Sequence, residues 1–198
     1  MEWLVAALAM FLISAVFVSR ASASKVMANS PYVTSLGGVF YARAIPDEEK
    51  GTKGTTTIYR VRRDQDEVVE RHAWYAPGGL HLGWSPIAGK VAAMAVGGDA
   101  VKDPGKRVEL KFYIGPERLT TYTTGDLLAL GATLGRGADE DVRRANMRIV
   151  GCEQIQNTND YVFRVVLHTS QGERMIDFDI LTGKPYDAAK AATRPGHR

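Results

Sequence analysis

The chain has 198 residues, 45% of them hydrophobic and 24% charged, a balance close to that of soluble globular proteins. Its composition of 20 glycines and 8 prolines excludes a collagen-like or proline-rich disordered chain, and 25 basic residues against 22 acidic ones leave a net charge of only +3, without the dense basic patch that nucleic acid requires. A lone cysteine, Cys152, excludes an intramolecular disulfide, and the length suits one domain of ordinary size.

The chain opens with an apolar run, residues 3–19 (WLVAALAMFLISAVFVS), which holds no charge, glycine or proline. As a helix rising 1.5 Å per residue it covers about 25 Å, near the thickness of a bilayer core, with no polar face at any helical phase. Residues 1–20 are therefore predicted to form a transmembrane anchor. Trp3 sits where an interfacial ring belongs, Phe11 and Phe17 lie within the apolar run, and Arg20 snorkels to the headgroups. A secretory signal peptide is the rival, because Ala21-Ser22-Ala23 is a small-residue cleavage pattern. Against it, the chain starts Met1-Glu2, and its first basic residues, Arg20 and Lys25, follow the apolar run. The same two cations favour a single-pass arrangement in the membrane with the body on the cytoplasmic side. Residues 21–36 then read as a polar tether.

From residue 37 to residue 186 the pattern is period two, and the expected fold class is mainly β (α+β). About nine antiparallel strands are expected in three β-meanders, with two short helices between the second and third. The first meander takes residues 38–45, 55–63 and 67–75, with a turn at Asp64-Gln65-Asp66. On its last strand Val68, Glu70, His72 and Trp74 share one face, and Val69, Arg71, Ala73 and Tyr75 the other. The second meander takes residues 90–97, 108–114 and 117–124, so that Val91 aligns with Val39 at a spacing of about 52 residues. Short helices are predicted over residues 126–134 and 139–148; the latter carries Asp139, Glu140 and Asp141 in its first turn and Arg143, Arg144 and Arg148 later, as the helix dipole favours. The third meander, residues 147–155, 161–169 and 173–181, matches the other two poorly in register. Residues 187–198 are predicted to be a flexible basic tail that touches anionic headgroups if the body is cytoplasmic.

Residues 80–96, LHLGWSPIAGKVAAMAV, resemble one blade segment of the TolB-like and other tryptophan-motif β-propellers, in which a strand ending in Trp-Ser-Pro turns into the next strand. Here Ile87-Ala88-Gly89 stands in place of the usual Asp-Gly turn. The resemblance implies local strand-turn-strand geometry and no function, since three partial copies do not close a propeller ring. Residues 161–186, ending Asp179-Ile180-Leu181-Thr182-Gly183-Lys184, resemble the closing hairpin of PepSY-type domains.

Chemical motifs are sparse. His72, His81, His168 and His197 show no metal-ligand spacing, and HExxH and Cys-x-x-Cys do not occur, so no metal and no cofactor is expected. Ser85, in Gly83-Trp84-Ser85-Pro86-Ile87, lacks the second glycine of a nucleophile elbow and reads as a turn residue. Gly131, Gly135 and Gly137 have no Lys-Ser/Thr after them and read as helix-ending glycines. Asp64, Asp66 and Glu67 read as a solvated turn, and Asp177 and Asp179 share a strand face with no base placed opposite. Cys152 reads as a small buried hydrophobe. There remains the stretch 72–84, HAWYAPGGLHLGW, in which Trp74, Tyr75, His81 and Trp84 form a candidate contact patch if exposed and plain core if buried. Alternation of Trp74 and Trp84 with apolar neighbours favours core, and period two turns His81 away from Leu80, Leu82 and Trp84 toward solvent.

These features lead to the expectation of a single-pass, membrane-anchored accessory or assembly subunit that is not an enzyme. It would bind other membrane or membrane-associated proteins and touch lipid through residues 3–19. An exported ligand-binding module released by signal cleavage is the alternative, and a hydrolase using His72 or His81 with an aspartate or Ser85 is the third reading. An uncleaved anchor predicts a full-length intact mass confined to the membrane fraction. A mass beginning near Ser24 in a soluble fraction identifies the exported form.

Overall fold

The computed structural model describes residues 28–98, 101, 103–135, 144–191 and 193. The predicted anchor, with Trp3, Phe11, Phe17 and Arg20, lies outside these residues, as does the tether up to residue 27. No helix among the described residues is long and apolar enough to cross a membrane.

Among the described residues eleven antiparallel strands form three sheets. The first contains β1 (Tyr32–Leu36), β2 (Phe40–Pro46), β3 (Gly54–Arg60) and β4 (Glu67–His72), and the second β5 (Leu80–Ser85), β6 (Lys90–Val96), β7 (Val108–Ile114) and β8 (Glu117–Thr123). The third contains β9 (Met147–Gln154), β10 (Tyr161–Thr169) and β11 (Gly172–Asp179), with β10 in the middle. Among the described residues helices are few and short: α1 (Thr124–Ala129) and α2 (Ala188–Ala191), besides a 3-10 turn at Pro104–Lys106.

The second sheet lies between the other two. Along β6 every residue from Val91 to Val96 is buried, with Val91, Ala93 and Ala95 on the first sheet and Ala92, Met94 and Val96 on the third. A strand buried on both faces reads as a continuous apolar run, and its three alanines admit both neighbouring sheets closely. Between the first two sheets the core contains Phe40, Ala42, Ile58, Leu80, Leu82 and Tyr113. Between the second and third it contains Phe112, Phe163 and Phe178, with the Phe112 and Phe178 rings 5.1 Å apart, and Leu127 of α1 seals it.

Helix α1 occupies the start of the segment predicted over 126–134 but is shorter. A capping box begins it, in which the Thr123 hydroxyl accepts from the Asp126 N–H and the Asp126 carboxylate accepts from the Thr123 N–H. Beyond it Gly131 takes a positive φ of 100°, the helix-ending role expected of it. The second predicted helix is corrected where it is described: Ala145 bridges Leu134, and Met147 and Arg148 already belong to β9. Residues 139–143 of that prediction lie outside the described residues.

Two strands go beyond the nine expected. Strand β1 comes from the segment read as tether and pairs with β2 from Tyr32↔Ala44 to Leu36↔Phe40. Strand β5 pairs with β6 from Leu80↔Ala95 to Ser85↔Lys90, so the strand-turn-strand unit around Trp-Ser-Pro is present. Strand β9 lies against β5 as β5 lies against β1, which makes β9 the counterpart of each sheet's first strand. Aligning it with β2 and β6 shifts the third repeat by one strand, and this accounts for its poor register. The third sheet also has the stub of a fourth strand: the Tyr186 N–H donates to the Asp177 carbonyl at 2.7 Å and the Asp179 N–H to the Lys184 carbonyl at 2.8 Å.

Gly83 of β5 marks a close approach between the second and third sheets, since a Cβ there would lie 2.7 Å from the Cys152 sulfur. Gly83→Ala is expected to cost about 1–3 kcal/mol by overpacking, and Cys152→Ala to recover part of that loss in a double-mutant cycle measured by urea denaturation.

Candidate functional site

The proposed aromatic patch does not assemble on one surface. Trp84 points into the core of the first two sheets and stacks on Phe40 with ring centroids 5.2 Å apart. Tyr75 is buried, packs edge-on against Tyr32 at 5.6 Å and donates its hydroxyl to the Ser30 carbonyl. Trp74 is half-buried and stacks on both His72 and Tyr113, at 4.9 Å each. His81 points away from Leu80, Leu82 and Trp84 as period two requires, but that face of β5 is the one that carries Gly83 toward the third sheet. It is therefore half-buried rather than solvent-facing, and desolvation lowers its pKa below the ordinary histidine value.

A buried polar pair lies beside Trp74. Glu70 and His72 both face the second sheet, with side chains more than nine-tenths buried and Glu70 Oε2 3.3 Å from His72 Nε2. Period two placed these residues together; what it missed is Val68. A β-bulge opposite Ile58 and Tyr59 breaks the alternation, so Val68 sits across from Tyr59 on the outer face and is 48% exposed.

Other chemistry-bearing residues have structural partners. Ser85 is buried, and its hydroxyl accepts from the Ala88 N–H in the β5–β6 turn. Asp66 accepts from the Tyr41 hydroxyl and the Arg62 N–H. Asp177 forms a bidentate pair with Arg164 at 2.8 and 2.9 Å, so a cation rather than a general base stands opposite it. Asp179 accepts from the Leu181 N–H. Burial, with Glu153 adding to it, pushes the Cys152 thiol up to about 11, which keeps it protonated at neutral pH. A shallow surface depression between the β5–β6 turn and the third sheet is lined by Ser85, Ile87, Asp160 and Tyr161 and encloses no cavity. Among the described residues no group of three or more His, Cys, Asp or Glu is placed to hold a metal ion.

The two outermost sheet faces have the most distinctive surface chemistry. On the first sheet, cross-strand rows place Val33, Arg43, Thr57 and Arg71 side by side, and next to them Ser35, Tyr41, Tyr59 and Val68. Tyr41 and Tyr59 stack at 4.8 Å, and Val33 is 64% exposed. Neither Arg43 nor Arg71 forms an ion pair among the described residues. On the third sheet the corresponding rows contain Glu153 and Asp177, both bonded to Arg164, and Arg148, Val166 and Met175, the last 57% exposed. These faces are what remains once the second sheet has covered the inner face of each neighbour.

Comparison with protein-family models, with curated proteins and with solved structures finds no match to this chain.

His81 generates a pH dependence. Its folded pKa lies below the ordinary unfolded value of about 6.5, so as pH falls through that value the unfolded chain takes up a proton that the folded chain refuses. Stability therefore falls with pH below about 6.5, and urea denaturation of His81→Gln between pH 7.5 and 5.5 is expected to show a smaller loss than the parent chain.

Proposed function

We propose that this chain is a non-catalytic, protein-binding accessory or assembly module, held at a membrane as a single-pass protein by the apolar segment 3–19, with its β-rich body on the cytoplasmic side. The observation that carries the reading is the outer face of the first sheet. Four paired strands present two guanidiniums, a stacked tyrosine pair and exposed valines on one surface. Arginine and tyrosine are the residue types enriched at protein interfaces: the ring contributes large area at low entropic cost, and the guanidinium reads carboxylates bidentately. An exported ligand-binding module would need the rings of Trp74, Tyr75 and Trp84 open to a ligand, whereas these rings pack on His72, Tyr113, Tyr32 and Phe40.

Purification of the full chain from membranes in mild detergent is expected to retain a second polypeptide in stoichiometric amount. Val33→Asp with Val68→Asp is expected to release it while leaving the thermal midpoint of the body within a few degrees of the parent, as surface substitutions do. A chain that always elutes alone as a monomer overturns the proposal.

A further inference from the structure

The three sheets are successive copies of one stacking step. Each sheet covers the next face to face, and the first strands lie nearest, β1 against β5 and β5 against β9. The stack thus has a direction, with the outer face of the first sheet open at one end and that of the third sheet open at the other. A stacking step that joins sheet one to two and two to three has one continuation, which places a further first sheet on the outer face of the third.

The chemistry of the two open faces is complementary. The first-sheet face carries Arg43 and Arg71, two cations without an ion pair among the described residues. At the centre of the third-sheet face, Arg164 is shared between the carboxylates of Glu153 and Asp177, so that cluster holds one more negative charge than positive. Beside the charges, Val33, Val68 and the stacked Tyr41 and Tyr59 on one face meet the exposed Met175 on the other, in a row where Val166 is buried and Arg148 is paired with Glu173.

We propose that the partner of this surface is a second copy of the chain, docked with the outer face of its third sheet on the outer face of the first. The inference rests on the protein-binding reading above and names the partner. A two-fold axis makes the contact occur twice, first sheet on third and third on first, so the assembly closes with no open end. Two chains of three sheets make a ring of six, within the range of about four to eight sheets over which blade-like sheets close on themselves. Four strands spaced about 4.8 Å apart and roughly six residues long present about 300–400 Å² per face. Two contacts then bury about 1,200–1,600 Å² over the four faces, the size of a standard stable interface.

The full chain in mild detergent tests this by sedimentation and light scattering together with site-directed crosslinking. The expected result is a dimer. A short bis-maleimide should link chains carrying Val68→Cys to co-expressed chains carrying Met175→Cys, and should link neither variant to itself, because the head-to-tail contact sets unlike faces together; the native Cys152 is half-buried with its thiol protonated, and Cys152→Ala in both chains removes it from the reaction. Arg43→Glu with Arg71→Glu is expected to weaken the dimer roughly tenfold or more, with an unchanged circular-dichroism spectrum and thermal midpoint as the folding control. A dimer that crosslinks Val68→Cys chains to one another overturns the head-to-tail arrangement. A monomer that still retains a different protein overturns the second-copy inference and leaves the protein-binding reading standing, whereas a monomer with no partner overturns both.

Discussion

Burial of the second sheet on both faces is the constraint from which the remaining structure follows. Within β6, Val91, Ala93 and Ala95 meet one neighbour, and Ala92, Met94 and Val96 meet the other, so a single strand supplies both cores. Small side chains are needed because a sheet flanked on both sides has no solvent side to which a bulky residue can retreat. The larger residues then come from the partners: Phe40 and Ile58 on one side, Phe163 and Phe178 on the other, with Phe112 of β7 meeting both of the latter rings. Dispersion contacts of this density explain why glycine is required at Gly83, where even a methyl group would collide with the neighbouring sheet.

Each core admits a buried carboxylate at its margin. Between the second and third sheets it is Glu109, which accepts from the Thr124 hydroxyl and the Ala145 N–H beside Leu127. The core between the first and second sheets admits Glu70 and His72 at its margin, where the imidazole stacks on Trp74 and approaches Tyr113. A buried carboxylate beside an imidazole is favourable only when the two are held together, so β4 is committed to one register against the second sheet. The bulge that sends Val68 outward is part of the same commitment, because it lets Glu70 and His72 face inward while the preceding valine joins the exposed face.

Much of the fold was legible because period-two alternation is a local signal. Strand β7 and strand β10 begin and end where the pattern does, and β6 was recognisable as an uninterrupted apolar run. Strand β1 was not, because YVTSL alternates only between half-buried and exposed positions and lies within a polar stretch. Strand β5 stands out in the sequence only as part of the Trp-Ser-Pro unit, and without it the repeat has no phase, which aligns β9 with the wrong strand of its neighbours. At the candidate site, the sequence placed the aromatic residues in one stretch, but consecutive residues on a strand and its turns go to different faces. Trp84 and His81 therefore ended in opposite interfaces of the second sheet. The charged and aromatic surface of the first sheet is assembled from four strands by register, and Arg43 and Arg71 become neighbours only through Thr57 between them.

The entry of the chain into the first sheet carries a mechanical consequence. Before β1 begins, Asn29 is clamped to the β2–β3 loop by three hydrogen bonds, its N–H to the Glu49 carbonyl and its side-chain amide to the carbonyls of Glu48 and Gly51. The clamp ties the residue ahead of β1 to the loop beyond β2, so the edge strand is fastened at its leading end as well as along its ladder. Fraying of β1 from that end therefore requires these three bonds to break before the first ladder pair, Tyr32↔Ala44, can open.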